Sequence, residues 1–567
     1  MNTSEPNERG AAGVPNATPA GEPQAGAARG AERALAPREE PRAHPPRIGS
    51  YVFAAALTAA FLAAGITGVV RHEMWRDEVQ AWMIVHDSAS LGALFLNVRL
   101  ETHPALWHLT AWLLARATES LRAFQLLNLA FAAAGVFLIA RFAPFRKLEK
   151  ALLAFGYFSL FEYGMVARNY AIGATLVYAF CAAFPNRRYW TLGAILFLAT
   201  QSSLHALIIA CGLAAFLGID AAARARRDGR ALPAGAKGAL ALTALGVALT
   251  TFQMRASYGP QHTVARGSLG FEHLLNVVGS VWRSYVPVPE ISSRPYWGSN
   301  ALAGLLDKLG LGGDPGRLVI AALSVALVAF AARTLQRSPR ALLFYAVTSV
   351  ALLLFGFAMF QGAIRHQGHL FVALVAALWL APAAGRGGAA SAAPGALAPE
   401  PEPGTRAPCW WTALLLAQAI GGLWAWQADV RLPFSRASAA AGFIRQERLD
   451  ALPLFGDRAP PASSLQPYLE KPIVYLADGR RGSFIVWGPA IAPKKPDPER
   501  MWSNLLRETI DRPTGHVVLI LNYAVDSAPA RYESREIGRF TGSLVGDEDY
   551  FLYLVEWPVR RPLGTGR

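Results

Sequence analysis

Long apolar segments separated by short polar breaks limit most strongly what this chain can fold into. Of its 567 residues, 53% are hydrophobic and only 16% are charged, which is too little charge for the surface of a soluble protein of this length. The pattern therefore predicts an α-helical polytopic membrane protein. The apolar segments cover residues 51–70, 126–140, 151–166, 171–184, 192–200, 204–217, 238–252, 318–332, 342–360, 370–383 and 410–426.

The positive charge of the chain fits this prediction. The formal net charge is +15, and arginines and lysines gather in short runs between apolar segments, such as residues 187–188 and 224–227. Cytoplasmic loops of membrane proteins carry such an excess of basic residues. We therefore expect contacts with membrane lipids and no nucleic-acid partner.

The same charge rule decides how residues 104–117 are interpreted. This stretch is apolar but contains His108 and Arg116. If it crossed the membrane, the basic loop 141–147 would lie outside, whereas a surface position places that loop and the other basic runs inside. We therefore predict an interfacial helix, about 11 transmembrane helices, a cytoplasmic N-terminus and an extracytoplasmic C-terminus. The expected location is the bacterial cytoplasmic membrane.

Composition divides the chain into three parts. Residues 1–49 are predicted to be a disordered cytoplasmic tail, residues 50–427 a transmembrane domain, and residues 428–567 a small extracytoplasmic α/β domain. The transmembrane domain would carry outer loops at 71–121 and 257–315 and a cytoplasmic linker at 385–408. In the α/β domain we expect strands at 473–477, 483–487, 517–521 and 551–556, and helices near 438–448 and 498–509.

Five ionisable residues stand within seven positions directly after the first apolar segment, in the stretch His72-Glu73-Met74-Trp75-Arg76-Asp77-Glu78. A charge near hydrocarbon is costly and is seldom retained without a role. Asp77 and Glu78 are adjacent, so on a helix their side chains point about 100° apart and cannot serve identically. One can face a pocket while the other holds the local fold. A pair of solvated interfacial charges is the alternative.

Other polar residues fall at predicted outer turns. His103 precedes Pro104, which suits the first position of the interfacial helix. Arg168 lies between two spans with Asn169 and Tyr170 beside it, where it would either clamp a phosphate or anchor the chain at the interface. The remaining candidates are His205, Arg365, His366 and His369.

A metal site is weakly indicated. His366 and His369 are about one helical turn apart, which would suit a metal ion, but no third ligand is evident beside them. The three cysteines, Cys181, Cys211 and Cys409, lie in or beside apolar segments and show no metal-binding spacing.

Together these motifs resemble the GT-C superfamily of membrane glycosyltransferases, and within it the protein O-mannosyltransferase and lipid A aminoarabinose transferase group. The resemblance lies in Trp75-Arg76-Asp77-Glu78, in His103-Pro104-Ala105 where the family more often has His-Pro-Pro, and in Arg168-Asn169-Tyr170. The last turn lacks the Asp that many members carry, which leaves the use of a divalent cation open. As an architecture, the resemblance covers residues 50–567.

The resemblance implies transfer of a sugar from a polyprenyl-phosphate-linked donor to an acceptor protein, lipid or glycan at the outer face of the membrane. Asp77 and Glu78 would be catalytic, with Asp77 as the general base, and Arg168, Arg365 and His103 would bind the donor phosphate. Further pocket candidates are Asn169, Tyr170, His205 and His366.

Two other functions remain open at this stage. A flippase or transporter of a lipid-linked saccharide would also hold cations near lipid, but it needs no acidic base and would more often show internal repeats. A non-catalytic membrane scaffold would explain a C-terminal domain but leaves the ionisable cluster without a role.

Overall fold

The computed structural model describes residues 48–255, 270–293, 295–385, 409–487, 496–510 and 515–557. The predictions for the N-terminal tail, for most of the linker 385–408 and for residues 257–269 of the second outer loop lie outside these ranges.

Helices dominate the described residues. The α-helices, numbered in chain order, are α1 Ile48–Arg71, α2 Arg76–His86, α3 Leu91–Val98, α4 Leu106–Ala115, α5 Leu121–Phe142, α6 Lys147–Ala154, α7 Tyr170–Ala183, α8 Tyr189–Thr200, α9 Leu204–Arg227, α10 Ala234–Met254, α11 Phe271–Val278, α12 Ser280–Tyr285, α13 Ala301–Lys308, α14 Asp314–Leu335, α15 Pro339–Ala358, α16 Ile364–Gly385, α17 Cys409–Arg431, α18 Ala437–Gln446, α19 Ala459–Ala462 and α20 Pro498–Thr509. A π-helix covers Tyr157–Met165, and 3₁₀-helices cover Phe184–Asn186, Leu449–Ala451 and Ser463–Tyr468.

Among the described residues, seven helices are long and apolar enough to cross a membrane. They coincide with seven of the predicted apolar segments, and they are α1, α5, α9, α10, α14, α15 and α16. The protein is therefore a mostly helical chain with several candidate membrane spans. The larger count of about 11 stays a prediction.

The other four predicted spans are shorter or irregular. Residues 151–166 contain the end of α6 and the π-helix, and α7 and α8 are apolar but short. α17 has 23 residues, but it is less apolar than the seven helices named above. At the C-terminal end of the π-helix, Asn128 donates to the carbonyls of Tyr163 and Gly164, which lie in the last turn, where backbone carbonyls lack partners within the helix.

The stretch 104–117 forms a short helix. α4 has ten residues, so it is about 15 Å long, half the thickness of the hydrocarbon layer. It begins at Leu106 and not at Pro104 as the sequence predicts, and the backbone N–H of Ala105 at its start donates to the side chain of Gln253.

The C-terminal region folds around a six-stranded mixed sheet. Its strands are β1 Leu454–Gly456, β2 Ile473–Tyr475, β3 Arg480–Gly482, β4 His516–Leu521, β5 Glu533–Phe540 and β6 Tyr550–Glu556, in the order β3-β2-β1-β4-β6-β5. β1 pairs in parallel with β2 and β4, and the other pairs are antiparallel. Five consecutive residues of β4 are buried, because one face of the sheet packs with α18 and the other with α20.

The strand predicted at residues 483–487 is wrong. The alternation of the sequence there suits a strand, but the chain has left the sheet after β3. The backbone N–H and carbonyl of Ile485 pair with the side-chain amide of Gln80 on α2 and not with a neighbouring strand. β1, β3 and β5 are not among the predicted strands.

Topology can be tested by labelling an exposed cysteine in the basic loop 141–147, whose last residue, Lys147, begins α6. In a variant without Cys181, Cys211 and Cys409, we expect Lys147→Cys to resist a membrane-impermeant maleimide added outside intact cells, because the loop is predicted to be cytoplasmic. Glu119→Cys, in the exposed turn before α5, is the matched control and should be labelled. Labelling of Lys147→Cys from outside would contradict the predicted orientation.

Candidate functional site

A buried ion network fixes the start of α2. His72 lies with Nδ1 at 2.8 Å from Oδ2 of Asp429 and Nε2 at 2.9 Å from Oε2 of Glu78, and all three side chains are buried. Burial disfavours a charged imidazole, but Asp429 and Glu78 outweigh it and raise the pKa of His72 to about 10. The network ties the ends of α1 and α17 to the first turn of α2.

Glu78 also caps α2. Its carboxylate accepts from the backbone N–H of Trp75 at 3.3 Å, in the manner of a capping box, and from the N–H of Ala167 at 2.6 Å. With His72 as a third partner, this side chain is fully occupied inside the fold. Glu78 therefore does not reach the cavity described below, although the sequence predicts it to be catalytic.

Asp77 points to the other side of α2, towards two arginines. Its Oδ2 lies 3.4 Å from Nη1 of Arg168 and 3.3 Å from Nη2 of Arg365, and its Oδ1 lies 3.6 Å from Nε of Arg76. Burial alone would raise the pKa of Asp77, but the three guanidiniums, that of Arg168 first, hold it below its usual range. Asp77 is thus an ionised carboxylate at neutral pH.

Arg168 is held by more than this ion pair. Nη1 donates to the backbone carbonyl of Asp77 at 2.7 Å, and Nη2 lies 3.1 Å from Nε2 of His103. Since a guanidinium only donates, His103 accepts through Nε2 and is neutral. Burial and the charge of Arg168 lower the pKa of His103 well below its usual value. His103 therefore orients Arg168 and carries no positive charge of its own.

Arg365 stands at the start of α16 between two indole rings. Its guanidinium carbon lies 5.0 Å from the ring centroid of Trp75 and 5.2 Å from that of Trp297. Cation–π contacts in a partly desolvated place contribute about 1–2 kcal/mol. Trp75, the residue before α2, thus positions Arg365, and the first turn of α2 that follows it positions Asp77.

These groups border a cavity of about 250 Å³ at the end of the bundle where α1 and α15 end and α9 and α16 begin. Of the three arginines that pair with Asp77, Arg168 and Arg365 take part, and aromatic and aliphatic side chains complete the wall. The lining consists of Asp77, Gln80, Glu101, Thr102, His103, Arg168, Leu204, His205, Phe355, Met359, Phe360, Arg365, His366 and Trp487.

Five sequence-predicted residues therefore converge here with Asp77 on one cavity, although the six are spread over three helices and two loops: His103, Arg168, His205, Arg365 and His366. Two others lie behind the wall. Asn169 donates to the carbonyl of Ser202 at 2.9 Å, and Tyr170 has its hydroxyl 2.9 Å from Nε2 of His366. They shape the turn that carries Arg168.

The histidines at the inner end of the cavity pack ring against ring. The ring centroid of His205 lies 5.3 Å from that of His366 and 5.0 Å from that of His369. Nδ1 of His366 accepts from the N–H of Ala363 at 2.9 Å, so its Nε2 carries the proton that is shared with Tyr170. Among the residues that the structure describes, no group of three or more His, Cys, Asp or Glu side chains has the arrangement of a metal site.

Several residues of the cavity are not among those predicted from the sequence, and three of them are in contact, since Gln80 and Trp487 both hydrogen-bond to Glu101. Glu101 and Gln80 are buried, and Trp487 comes from the segment after β3. Gln80 carries a usable signal, since it is one turn after Asp77 and must share its helix face. Glu101 lies in a polar stretch where a solvated side chain is the simpler expectation, and nothing in the sequence brings Trp487 near it.

The described residues thus define a helical protein with candidate membrane spans, a C-terminal α/β domain and a cavity lined by arginines, histidines and carboxylates at one end of the bundle. No family model matches the chain, and no curated protein matches it. Among solved structures, the crystal structure of ArnT from Cupriavidus metallidurans in the apo state matches 89% of this chain and 98% of that chain, with 14% sequence identity and a TM-score of 0.34. A match with this TM-score supports no conclusion about the fold or the function of the chain.

The buried network at the start of α2 should make stability depend on pH. The pKa of His72 is raised above its unfolded value, so its contribution is fully present below about pH 6.5 and is lost as the pH rises through about 10. His72→Gln leaves two buried carboxylates without their cation, and we expect it to cost about 3–5 kcal/mol near neutral pH. The apparent melting temperature in detergent should fall towards pH 10 in the wild type and change less in the variant.

His86→Gln is the matched control, because His86 is exposed and forms its ion pair with its neighbour Asp87. It should leave the melting temperature near that of the wild type. Equal melting temperatures for His72→Gln and the wild type at pH 7 would mean that the network does not hold α2.

Proposed function

We propose that the protein transfers a sugar from a polyprenyl-phosphate-linked donor to an acceptor at the outer face of the cytoplasmic membrane, and that the reaction takes place in the cavity beside Asp77. The observation that carries the proposal is the convergence of Arg168 and Arg365 on one carboxylate oxygen, at 3.4 and 3.3 Å, inside a partly apolar cavity. Two guanidiniums at that spacing can bind two oxygens of one phosphate.

The charge of the cavity suits a phosphodiester. Arg168 and Arg365 carry two positive charges, Asp77 carries one negative charge, and His103 is neutral, so this part of the wall is net positive. When the bond between the sugar and the phosphate breaks, the leaving phosphate gains negative charge. Fixed guanidiniums in a site with little water stabilise that charge most where it develops, which lowers the barrier.

The position of the cavity suits a donor that is anchored in lipid. It lies where candidate spans α9, α15 and α16 begin or end, and Phe355, Met359 and Phe360 supply apolar wall on that side. A polyprenyl chain reaches a membrane protein laterally through the hydrocarbon, so its phosphate arrives at the depth of the helix ends. Arg168, just before α7, and Arg365, at the start of α16, lie at such helix ends.

Asp77 takes a different role in this proposal from the one predicted from the sequence. A carboxylate that is shared by two guanidiniums is ionised but weakly basic, since each ion pair must be given up before a proton can bind. We therefore assign Asp77 the task of holding Arg168 and Arg365 at the spacing of a phosphate. Glu78 serves this arrangement indirectly, through the capping of α2.

Arg168 gives the sharpest test of the phosphate clamp. Arg168→Ala should lower transfer from a polyprenyl-phosphate sugar by about 10²–10³-fold, the usual cost of removing one group that stabilises a developing negative charge. Arg168→Lys should recover only part of this loss, because a point charge lacks the planar fork. Binding of a long-chain polyprenyl phosphate should weaken in parallel.

Arg226→Ala is the matched control, since Arg226 is exposed near the far end of α9. It should transfer and bind like the wild type. If Arg168→Ala also keeps wild-type transfer and binding, Arg168 is an anchor at the interface and the clamp is wrong.

Asp77→Asn separates a positioning role from that of a base. The amide keeps the shape but no longer competes with a phosphate for the two guanidiniums, so we expect tighter binding of a polyprenyl phosphate together with slower transfer. A general base at Asp77 would instead predict a loss of about 10²–10⁴-fold with unchanged phosphate binding. Equilibrium binding and transfer, measured on the same folded preparations, distinguish the two roles.

A further inference from the structure

Glu101 is a second carboxylate of the cavity, and its surroundings differ from those of Asp77. It lies in the loop between α3 and α4, lines the cavity and is 8% exposed. Oε1 accepts from Nε2 of Gln80 at 2.8 Å, and the side chain of Trp487 also hydrogen-bonds to it. The charged groups that act on it are Arg168, across the cavity, and Asp77, on the same face of α2 as Gln80.

Gln80 fixes the position of Glu101. Its Oε1 accepts from the N–H of Ile485 at 2.8 Å, and its Nε2 donates both to the carbonyl of Ile485 and to Glu101, each at 2.8 Å. Both hydrogens and the oxygen of the amide are therefore used, and a flipped amide would lose all three bonds. The C-terminal domain thus sets where the carboxyl group of Glu101 stands.

The pKa values of Glu101 and Asp77 are shifted in opposite directions. Burial raises the pKa of Glu101, and the hydrogen bond from Gln80 and the charge of Arg168 offset only part of that rise. The resulting pKa is about 7. The pKa of Asp77 is held low by its arginines. Pairs of titratable groups whose environments separate their pKa values in this way mark a division of roles, and a base is most effective when its pKa is near the operating pH.

We propose that Glu101 is the catalytic residue that takes the proton from the acceptor, and that Gln80 is its positioning residue. This inference rests on the proposed function. The acceptor is a hydroxyl or amine, X–H, that enters the cavity beside Glu101 and Trp487. A lone pair of X forms the new bond to the anomeric carbon of the sugar, while the bond from that carbon to the phosphate oxygen breaks and leaves its electron pair on the oxygen.

The proton and the charges then balance. The proton of X–H passes to the carboxylate of Glu101, the product is the X-linked sugar, and the polyprenyl phosphate leaves with one more negative charge between Arg168 and Arg365. Glu101 returns its proton to water before the next cycle. Asp77 keeps its charge throughout, so the two arginines stay in place.

A purely structural role for Glu101 makes a different prediction. If the carboxyl group only tied the loop after α3 to Gln80 and Trp487, Glu101→Gln would keep most of that contact and would keep transfer, with stability as the only property affected. A base cannot be replaced by an amide. Transfer in Glu101→Gln should therefore fall by about 10²–10⁴-fold while the protein stays folded.

The experiment uses the full-length protein in nanodiscs with a panel of radiolabelled polyprenyl-phosphate hexoses and pentoses, and membranes of a deletion strain of the host as the source of acceptor. Transfer of label and binding of a polyprenyl phosphate are measured for the wild type, Glu101→Gln, Gln80→Leu and the exposed control Glu119→Gln. Glu119→Gln should match the wild type, and Glu101→Gln should bind polyprenyl phosphate normally.

The pH profile of kcat/KM adds a signature that a structural role would not give. In the wild type it should be level above about pH 7 and fall as the pH drops below it, because Glu101 must lose its proton to act. This limb should be absent from Glu101→Gln and present in Asp77→Asn. In Gln80→Leu it should move to higher pH, because the hydrogen bond from Gln80 favours the charged form.

The outcomes separate the two proposals. If the wild type neither binds polyprenyl phosphate nor transfers label from any donor of the panel, the proposed function is overturned. If the wild type transfers and Glu101→Gln transfers equally well, or keeps the same acidic limb, the function stands and Glu101 is not the base. Loss of transfer and of the limb in a folded Glu101→Gln that still binds polyprenyl phosphate supports the inference.

Discussion

The buried pairing of His72 with Glu78 and Asp429 is the interaction on which the rest of the site depends. Three ionisable side chains without contact to water are tolerated only because each charge has a partner at hydrogen-bond distance, 2.8 and 2.9 Å here. The pairing joins the ends of α1 and α17, and it holds the residue that caps α2. Because the start of α2 is thereby fixed at Arg76, the helix face that carries Asp77 and Gln80 is fixed as well.

The C-terminal domain braces the same helix from a second direction. The backbone N–H of Arg76 donates to Glu548 at 3.1 Å, and its guanidinium pairs with Asp547 at 2.5 Å. One turn further on, Gln80 pairs with the backbone of Ile485. The C-terminal domain therefore contacts α2 at both ends of the helix face that lines the cavity.

Much of the fold is readable from the sequence, because apolar length and alternation act locally. Seven predicted segments coincide with long apolar helices, and α20 covers the predicted residues 498–509. The segment 483–487 was misjudged because its partner, Gln80, lies 405 positions away along the chain. No local pattern encodes such a pairing.

Some residues of the candidate site can be predicted from the sequence, but their arrangement cannot. A charged side chain beside an apolar segment is conspicuous, so Asp77, Arg168 and Arg365 stand out in the sequence. That Arg365 meets Asp77 depends on the packing of α16, since the two residues are 288 positions apart. Glu101 gives no signal in the sequence, because its partners Gln80 and Trp487 come from α2 and from the segment after β3.

A division of labour between two carboxylates follows from electrostatics. To hold two guanidiniums, a carboxylate must stay ionised, and the ion pairs that keep it ionised remove its affinity for a proton. To accept a proton near neutral pH, a carboxylate must be destabilised in its charged form, and burial has that effect. One side chain cannot meet both demands. Asp77, between Arg168 and Arg365, meets the first, and Glu101, beside an amide and an indole, meets the second.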